Sequence, residues 1–330
     1  MLDYTQAKFD NIFSNNFEEE ELKNYLVGLY DRGEEVEEIV IAAKAMRKYM
    51  IELELSDDLK DKIIDNCGTG GDKSSSFNIS TTCSFLLSSG GCFVAKHGNI
   101  SLSSKSGSAN LLGALGLNLN LSNKNLALML EDLGFCFMFA KNHHLAMKHI
   151  MLLRAKIPHR TIFNILGPLS NPAGADKNII GVFSKDYLGK LVQALKGLGS
   201  KKALLFSSKD LMDEISISDI TYANSLDENG KIKEFIIDPR EYGLKLYKKE
   251  EIIGGTPEEN AKITRDILSG VEVGAKRDIV LVNSAFAFLL DGKVRDIKEG
   301  IQYGKDLIKN KKAITKLDDI IKTSNKMQKA

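Results

Sequence analysis

The sequence predicts an α/β protein, with a small N-terminal helical domain and a larger α/β domain around a mostly parallel central sheet. Three observations predict it. From residue 63 onward, short apolar or β-branched runs alternate with helical patterns, the arrangement of a sheet whose strands are joined by crossover helices. Those runs are continuously apolar rather than alternating, as strands buried on both faces are. Two of them end in polar, glycine-containing turns that open a helix, and in parallel sheets ligands bind at the carboxyl ends of strands.

Residues 1–62 read as entirely helical. Asn16 with Glu19 three positions on gives a capping pattern for a helix whose apolar stripe is Leu22, Tyr25, Leu26 and Leu29, and Asp31-Arg32-Gly33 ends it. A second stripe, Val36, Ile39, Val40, Ala43, Met46 and Met50, has helical period. This bundle holds too little core to stand alone, so it should pack on a partner, joined by helices from about 123–165. The α/β domain then spans 63–330. Its strands are expected at 63–66, 92–95, 135–139, 179–183, 203–206 and 279–282, with helices near 79–88, 107–115, 123–133, 143–155, 185–198 and 258–269. Between 221 and 238, alternating runs flank Asp227-Glu228-Asn229-Gly230 and predict an antiparallel hairpin. The Lys-rich C-terminus reads as a solvated helix with a frayed tail.

With 330 residues the chain can bury a large core, and a formal charge of +1 spread along its length gives no footprint for nucleic acid. Cys67, Cys83, Cys92 and Cys136 form no CxxC pair and read as reduced core residues. Met1-Leu2-Asp3-Tyr4 opens no basic-then-apolar leader, and no apolar run is long enough to span a membrane. The expectation is a soluble, cytoplasmic protein with no nucleic-acid or membrane partner.

The most informative stretch is Asn66-Cys67-Gly68-Thr69-Gly70-Gly71-Asp72, followed by Ser74-Ser75-Ser76-Phe77-Asn78-Ile79-Ser80-Thr81. Glycines let the chain turn through positive φ and bring bare N–H groups to an anion, and the helix start that follows adds partial positive charge. The spacing fits neither the P-loop nor the GxGxxG fingerprint, so the choice is between a phosphate cradle of another kind and a tight structural turn. Lys96-His97-Gly98-Asn99-Ile100-Ser101-Leu102-Ser103-Ser104-Lys105-Ser106-Gly107-Ser108 repeats the arrangement after the second strand. Two such turns suggest a ligand with more than one anionic group; the alternative is a solvated Ser-rich loop.

Phe139-Ala140-Lys141-Asn142-His143-His144 opens a helix that reaches Arg154. Adjacent histidines cannot point the same way on a helix, and no third ligand stands at zinc spacing. Arg154 either complements the helix C-terminus or grips a carboxylate with its planar fork. Asp213-Glu214 follows a strand and the turn Ser207-Ser208-Lys209-Asp210. Such a pair is either solvated or holds magnesium, which binds through one or two carboxylates and bridges to substrate phosphates.

Together these segments resemble the anthranilate phosphoribosyltransferase family, members of which join anthranilate to phosphoribosyl pyrophosphate in tryptophan synthesis. The resemblance runs through nearly the whole chain: Gly68-Thr69-Gly70-Gly71-Asp72, Asn78-Ile79-Ser80-Thr81, Lys96-His97-Gly98-Asn99, Ser106-Gly107-Ser108-Ala109, Arg160-Thr161-Ile162-Phe163-Asn164-Ile165-Leu166-Gly167-Pro168-Leu169, Asp213-Glu214-Ile215-Ser216, and Asn283 after the last expected strand. It implies a homodimer formed through the helical domains, with the site in the cleft between the two domains. Phosphoribosyl pyrophosphate would be held by Gly68, Gly71, Asp72, Ser76, Asn78, Ile79, Ser80, Thr81, Lys96, His97, Gly98, Asn99, Ser103, Ser104 and Ser108. Magnesium would be served by Ser80, Asp213 and Glu214, and anthranilate by Gly68, His97, Asn99 and Arg154.

Some positions depart from the family's pattern. Ile100 replaces a basic residue, Asn110 an aspartate, Lys141 and Leu145 two prolines, and Ser207-Ser208 a His-Gly pair. Lys141 matters most, because it lies beside the implied anthranilate channel. The implied reaction displaces pyrophosphate from ribose C1 by the aromatic amine. The chain offers no obvious general base, and Asn99 and Arg154 would position the amine. The alternatives are a pyrimidine nucleoside phosphorylase of the same fold, against which Asn78-Ile79-Ser80-Thr81 and Asp213-Glu214 argue, and a non-catalytic nucleic-acid-binding relative, against which the even charge argues.

Overall fold

The structure is a computed structural model, described for residues 2–72, 74–100 and 105–327. The helical start comprises α1 (Leu2–Phe13), α2 (Glu19–Arg32), α3 (Val36–Lys48) and α4 (Asp57–Lys60). Strands β1 (Ile63–Gly68), β2 (Phe93–Gly98), β3 (Phe135–Phe139), β4 (Lys177–Gly181) and β5 (Lys202–Ser208) follow, then the hairpin β6 (Thr221–Leu226) and β7 (Ile232–Ile237). Between the strands lie α5 (Ile79–Ser89), α6 (Ser108–Ala114), α7 (Asn123–Leu133), α8 (Ala140–His143), α9 (Met147–Arg154), α10 (Phe163–Leu166) and α11 (Leu188–Gly197). After the hairpin come α12 (Pro257–Ser269), α13 (Ala275–Leu290), α14 (Ile297–Lys309) and α15 (Lys312–Lys326).

The strands form one sheet in the order β3-β2-β1-β4-β5-β6-β7. The first five run parallel, and the predicted hairpin closes one edge antiparallel. From β1 the chain builds outward through β2 and β3, then returns to lay β4 on the other side, so a crevice opens at the ends of β1, β2 and β4. Strand residues alternate between two cores. Ile179, Leu204 and Phe206 face α5, α7 and the C-terminal helices, whereas Ile180, Ala203 and Leu205 face α11 and the helical start. The bundle thus finds the partner it needs: Phe9, Leu26, Leu29 and Ile39 share one core with a sheet face, with Ile150 of α9 and with Phe163 and Ile165 of α10. Helix α7 belongs instead to the opposite core, through Leu126, Met129 and Leu130.

Five expectations change. The 279–282 run is no strand but part of α13, where every residue from Asp278 to Phe288 is buried. Its Ile and Val content favours strands, but a helix apolar all round is what fills a space between two other helices, here α5 and α14. Asn283 therefore sits in mid-helix. Asn16 does not cap α2: its N–H donates to Asn11 O at 2.8 Å, in the turn that ends α1, and Glu18 occupies the cap position. The expected 143–155 helix is interrupted at His144, and residues 51–56 form no helix. The C-terminal helix α15 is not merely solvated, since Ala313, Leu317 and Ile320 are fully buried in the main core.

Candidate active site

Strand β1 delivers the chain into the 69–78 turn, where Gly70 and Gly71 take φ of +69° and +71°, the region that favours glycine. Gly68 is small for another reason. A β-carbon there would lie 2.5 Å from Asp213 Oδ2, because the acidic loop after β5 crosses over the end of β1. At Gly181, the end of β4, an added β-carbon would lie 1.7 Å from the Asp213 carbonyl oxygen. Sequence reasoning missed Gly181, and the only signal was its place at the end of a strand beside the glycine turn.

The acidic loop is braced from below. Ser208 N–H donates to Met212 O at 3.0 Å, and Ser216 Oγ to Asp210 Oδ2 at 3.0 Å. The Asn283 amide, buried in α13, grips Ile215 twice: its Oδ1 accepts from Ile215 N and its Nδ2 donates to Ile215 O, both at 2.9 Å. Asp213 and Glu214 are thereby held over the glycine turn. Gly70 N–H donates to Asp213 Oδ2 at 2.8 Å, and Ser80 N–H, in the first turn of α5, donates to Glu214 Oε1 at 3.2 Å. Asp72 Oδ2 accepts from Asp213 N at 3.4 Å. Burial first, then the neighbouring Asp72 carboxylate, raises Asp213 to about 7. Glu214 is pushed well above the usual carboxylate range by burial and by Asp213, against the pull of Lys96. Acids crowded in this way favour a positive charge among them.

Lys96 is 1% exposed, and its Nζ donates to Asn66 O at 2.6 Å and to Ser80 Oγ at 3.4 Å. Burial lowers its pKa, while Asp65 counters most of all the charged neighbours. Asp65, itself fully buried, is a charged residue that the sequence reading passed over. The two glycine-containing turns are stitched together. Asn78 Nδ2 donates to Ser106 O and Ser106 Oγ to Asn78 Oδ1, both at 3.0 Å, and Asn260 of α12 donates to the same Asn78 oxygen at 3.0 Å. Thr81 Oγ1 donates to Ser108 Oγ at 3.2 Å. Ser76 bridges to Ile253, and Ile79 N–H donates to Phe77 O at 2.7 Å.

On the opposite side of β2, His97 is buried with its ring 4.9 Å from that of His144. Burial and the neighbouring histidines hold His97 well below the usual imidazole range, and burial holds His144 at about 4, so both rings are neutral. His143 points elsewhere, its Nδ1 lying 2.7 Å from Ile51 O. Gly98 packs close to Phe137 and Ser108; Asn99 is exposed, its backbone oxygen accepting from Ala109 N at 3.2 Å. Arg154 ends α9 with its guanidinium 5.8 Å from the Phe163 ring, and among the described residues it has no acidic partner. Asn99 and Arg154 make no hydrogen bond to the acid and glycine cluster among the described residues. Lys141 lies over the Phe139 ring at 4.5 Å. Ser103 and Ser104 lie outside the described residues.

A family model described as "Glycosyl transferase family, a/b domain" matches residues 60–314. The chain is 42% identical over 316 residues to the anthranilate phosphoribosyltransferase of Methanobrevibacter smithii, covering 96% of this chain and 92% of that protein. Its fold matches the crystal structure of anthranilate phosphoribosyltransferase from Thermus thermophilus with a TM-score of 0.90 and 33% identity, over 98% and 96% of the two chains. The Saccharomyces cerevisiae enzyme in complex with phosphoribosyl pyrophosphate and magnesium matches with a TM-score of 0.84 and 28% identity, over 93% and 86%.

Proposed function

The chain belongs to the anthranilate phosphoribosyltransferase family, and we propose that the crevice at the ends of β1 and β2, under the Asp213-Glu214 loop, is where it transfers the 5-phosphoribosyl group of phosphoribosyl pyrophosphate to the amine of anthranilate. One observation carries this reading: two helix-opening turns are hydrogen-bonded to each other, and the first of them donates backbone N–H groups to a raised pair of carboxyls. Gly68, Gly71, Asp72, Ser76, Asn78, Ile79, Ser80, Thr81, Lys96, His97, Gly98, Asn99 and Ser108 form the phosphoribosyl pyrophosphate site; Ser103 and Ser104, assigned to it from the sequence, lie outside the described residues. Lys96, buried near Asp65 and Glu214, sets its Nζ against Ser80 Oγ at the start of α5, where an anion would lie.

Asp213 and Glu214, with Ser80 beside them, fit a magnesium ion. Their crowding calls for a cation, and no cage of three or more ligating side chains is present among the described residues, as befits an ion that takes its remaining oxygens from substrate and water. When bound, magnesium neutralises charge on the departing pyrophosphate. The N–H groups of the glycine turn stabilise that same departing group as C1 gains oxocarbenium character. The aromatic amine is uncharged at neutral pH and needs no strong base. Arg154, free of any acid among the described residues, holds its carboxylate, and Gly68, Asn99 and the neutral His97 line the pocket. In the same proposal, helices of residues 1–62 with α9 and α10 form the smaller domain, the enzyme works as a homodimer through it, and it does so in the cytoplasm. Exposed Leu2 and Tyr4 give α1 an apolar surface, and no described helix is long and apolar enough to cross a membrane.

Loss of anthranilate fluorescence tests the reaction. Turnover that requires both phosphoribosyl pyrophosphate and magnesium is expected; no loss with both present would overturn the reading.

A further inference from the structure

Arg160 opens the Arg160-Thr161-Ile162-Phe163 run and has no task in the reaction described above. Its Nη1 donates to Gly70 O at 3.1 Å and its Nη2 to Gly71 O. The guanidinium lies 3.8 Å from the Phe183 ring, and Phe183 N–H in turn donates to Thr69 Oγ1 at 3.0 Å. Fork, ring and glycine turn therefore close on one another. A trans peptide carries its N–H opposite its C=O. Holding the carbonyls of Gly70 and Gly71 on the arginine side thus turns the N–H groups of Gly71 and Asp72 to the other side. Two consecutive glycines at φ near +70° would otherwise be the most freely rotating part of the turn. The grip is anchored at its far end: the His159 ring stacks on Tyr30 of α2 with centroids 3.9 Å apart, and His159 Nδ1 lies 2.7 Å from Arg160 O.

We propose that Arg160 is a positioning residue that clasps the Gly70 and Gly71 carbonyls and so presets the Gly71 and Asp72 N–H groups for the pyrophosphate, tying the glycine turn to the helical domain through His159 and Tyr30. The inference rests on the reading of the turn as the pyrophosphate cradle. It differs from a direct role, in which the guanidinium itself meets phosphate and leaves the carbonyls.

Hydrogen exchange of the substrate-free protein separates the two. In Arg160→Ala, peptides spanning 66–77 are expected to exchange about tenfold faster than in the parent, with Arg160→Lys intermediate because one ammonium can hold one carbonyl. The KM for phosphoribosyl pyrophosphate should rise about tenfold while that for anthranilate stays within about twofold. Phe183→Leu, which keeps the arginine and removes the ring beneath it, should shift exchange the same way by less and serves if Arg160→Ala fails to fold. Unchanged exchange with a raised KM would overturn the clasp and make Arg160 a phosphate ligand; unchanged exchange and KM, or equal rises in both KM values, would overturn it outright. A parent protein without turnover would refute the function, whereas the exchange result bears on the clasp alone.

Discussion

Gly71→Ala puts a methyl group on the residue where the cradle is most constrained. With φ at +71° the alanine sits in the left-handed region, at a cost of about 1–2 kcal/mol. The new β-carbon would also lie 3.0 Å from Arg160 Nη1 and 3.2 Å from Nη2, tighter than ordinary contact. The arginine end is the movable partner, so it would give way by loosening its hold on the two carbonyls, a loss of about 0.5–1.5 kcal/mol per bond at most. The two effects bear on the same turn and are not independent. A total near 2 kcal/mol corresponds to a rise of about 30-fold in the KM for phosphoribosyl pyrophosphate, since each 1.4 kcal/mol is tenfold. Gly71→Asn separates the contributions, because asparagine tolerates positive φ but carries the same β-carbon. It should recover most of the backbone part. The assay is steady-state loss of anthranilate fluorescence with phosphoribosyl pyrophosphate varied at saturating anthranilate, then the reverse. A KM within about twofold of the parent for Gly71→Ala would refute the reasoning, because the strain and the contact would then have no bearing on the cradle.

Asp213→Asn combined with Glu214→Gln should abolish turnover while the far-UV spectrum and thermal midpoint stay near those of the parent, since uncrowding two raised acids does not cost the core; parental activity at saturating magnesium would remove the acids from the site. Arg154→Ala should raise the KM for anthranilate about tenfold or more and leave that for phosphoribosyl pyrophosphate little changed, because a charged hydrogen-bond partner is lost; equal rises would make Arg154 a helix-end residue only. His144, held at about 4 by burial, binds its proton in the unfolded chain from near 6.5 downward but in the folded chain only near 4. Its contribution is therefore present above 6.5 and lost as the pH falls toward 4, up to about 3 kcal/mol. Urea unfolding at pH 7.5, 6 and 5 should show a shallower loss of stability for His144→Gln than for the parent, and parallel slopes would contradict the assignment.

Part of this architecture is written in local chemistry and can be read along the chain. Apolar runs that alternate with helical periods placed the first five strands within a few residues, and Asp227-Glu228-Asn229-Gly230 announced the hairpin. Two strand-turn-helix junctions carrying glycine and hydroxyl groups pointed to the crevice, because positive φ and helix starts are properties of neighbouring residues. Long-range packing set the remainder. The Ile279-Val280-Leu281-Val282 run reads as a strand until α5 and α14 enclose it on both sides, when only a helix buries every face and satisfies its own backbone. Gly181 and Gly68 are required by the passage of the Asp213 backbone and carboxyl, which lie far along the chain. Asn283 braces Ile215 across a separation of 68 residues, and Arg160 grips Gly70 across 90. Those contacts have no periodicity and no spacing of their own; they exist only because parallel strands with helical crossovers bring distant loops to one end of the sheet.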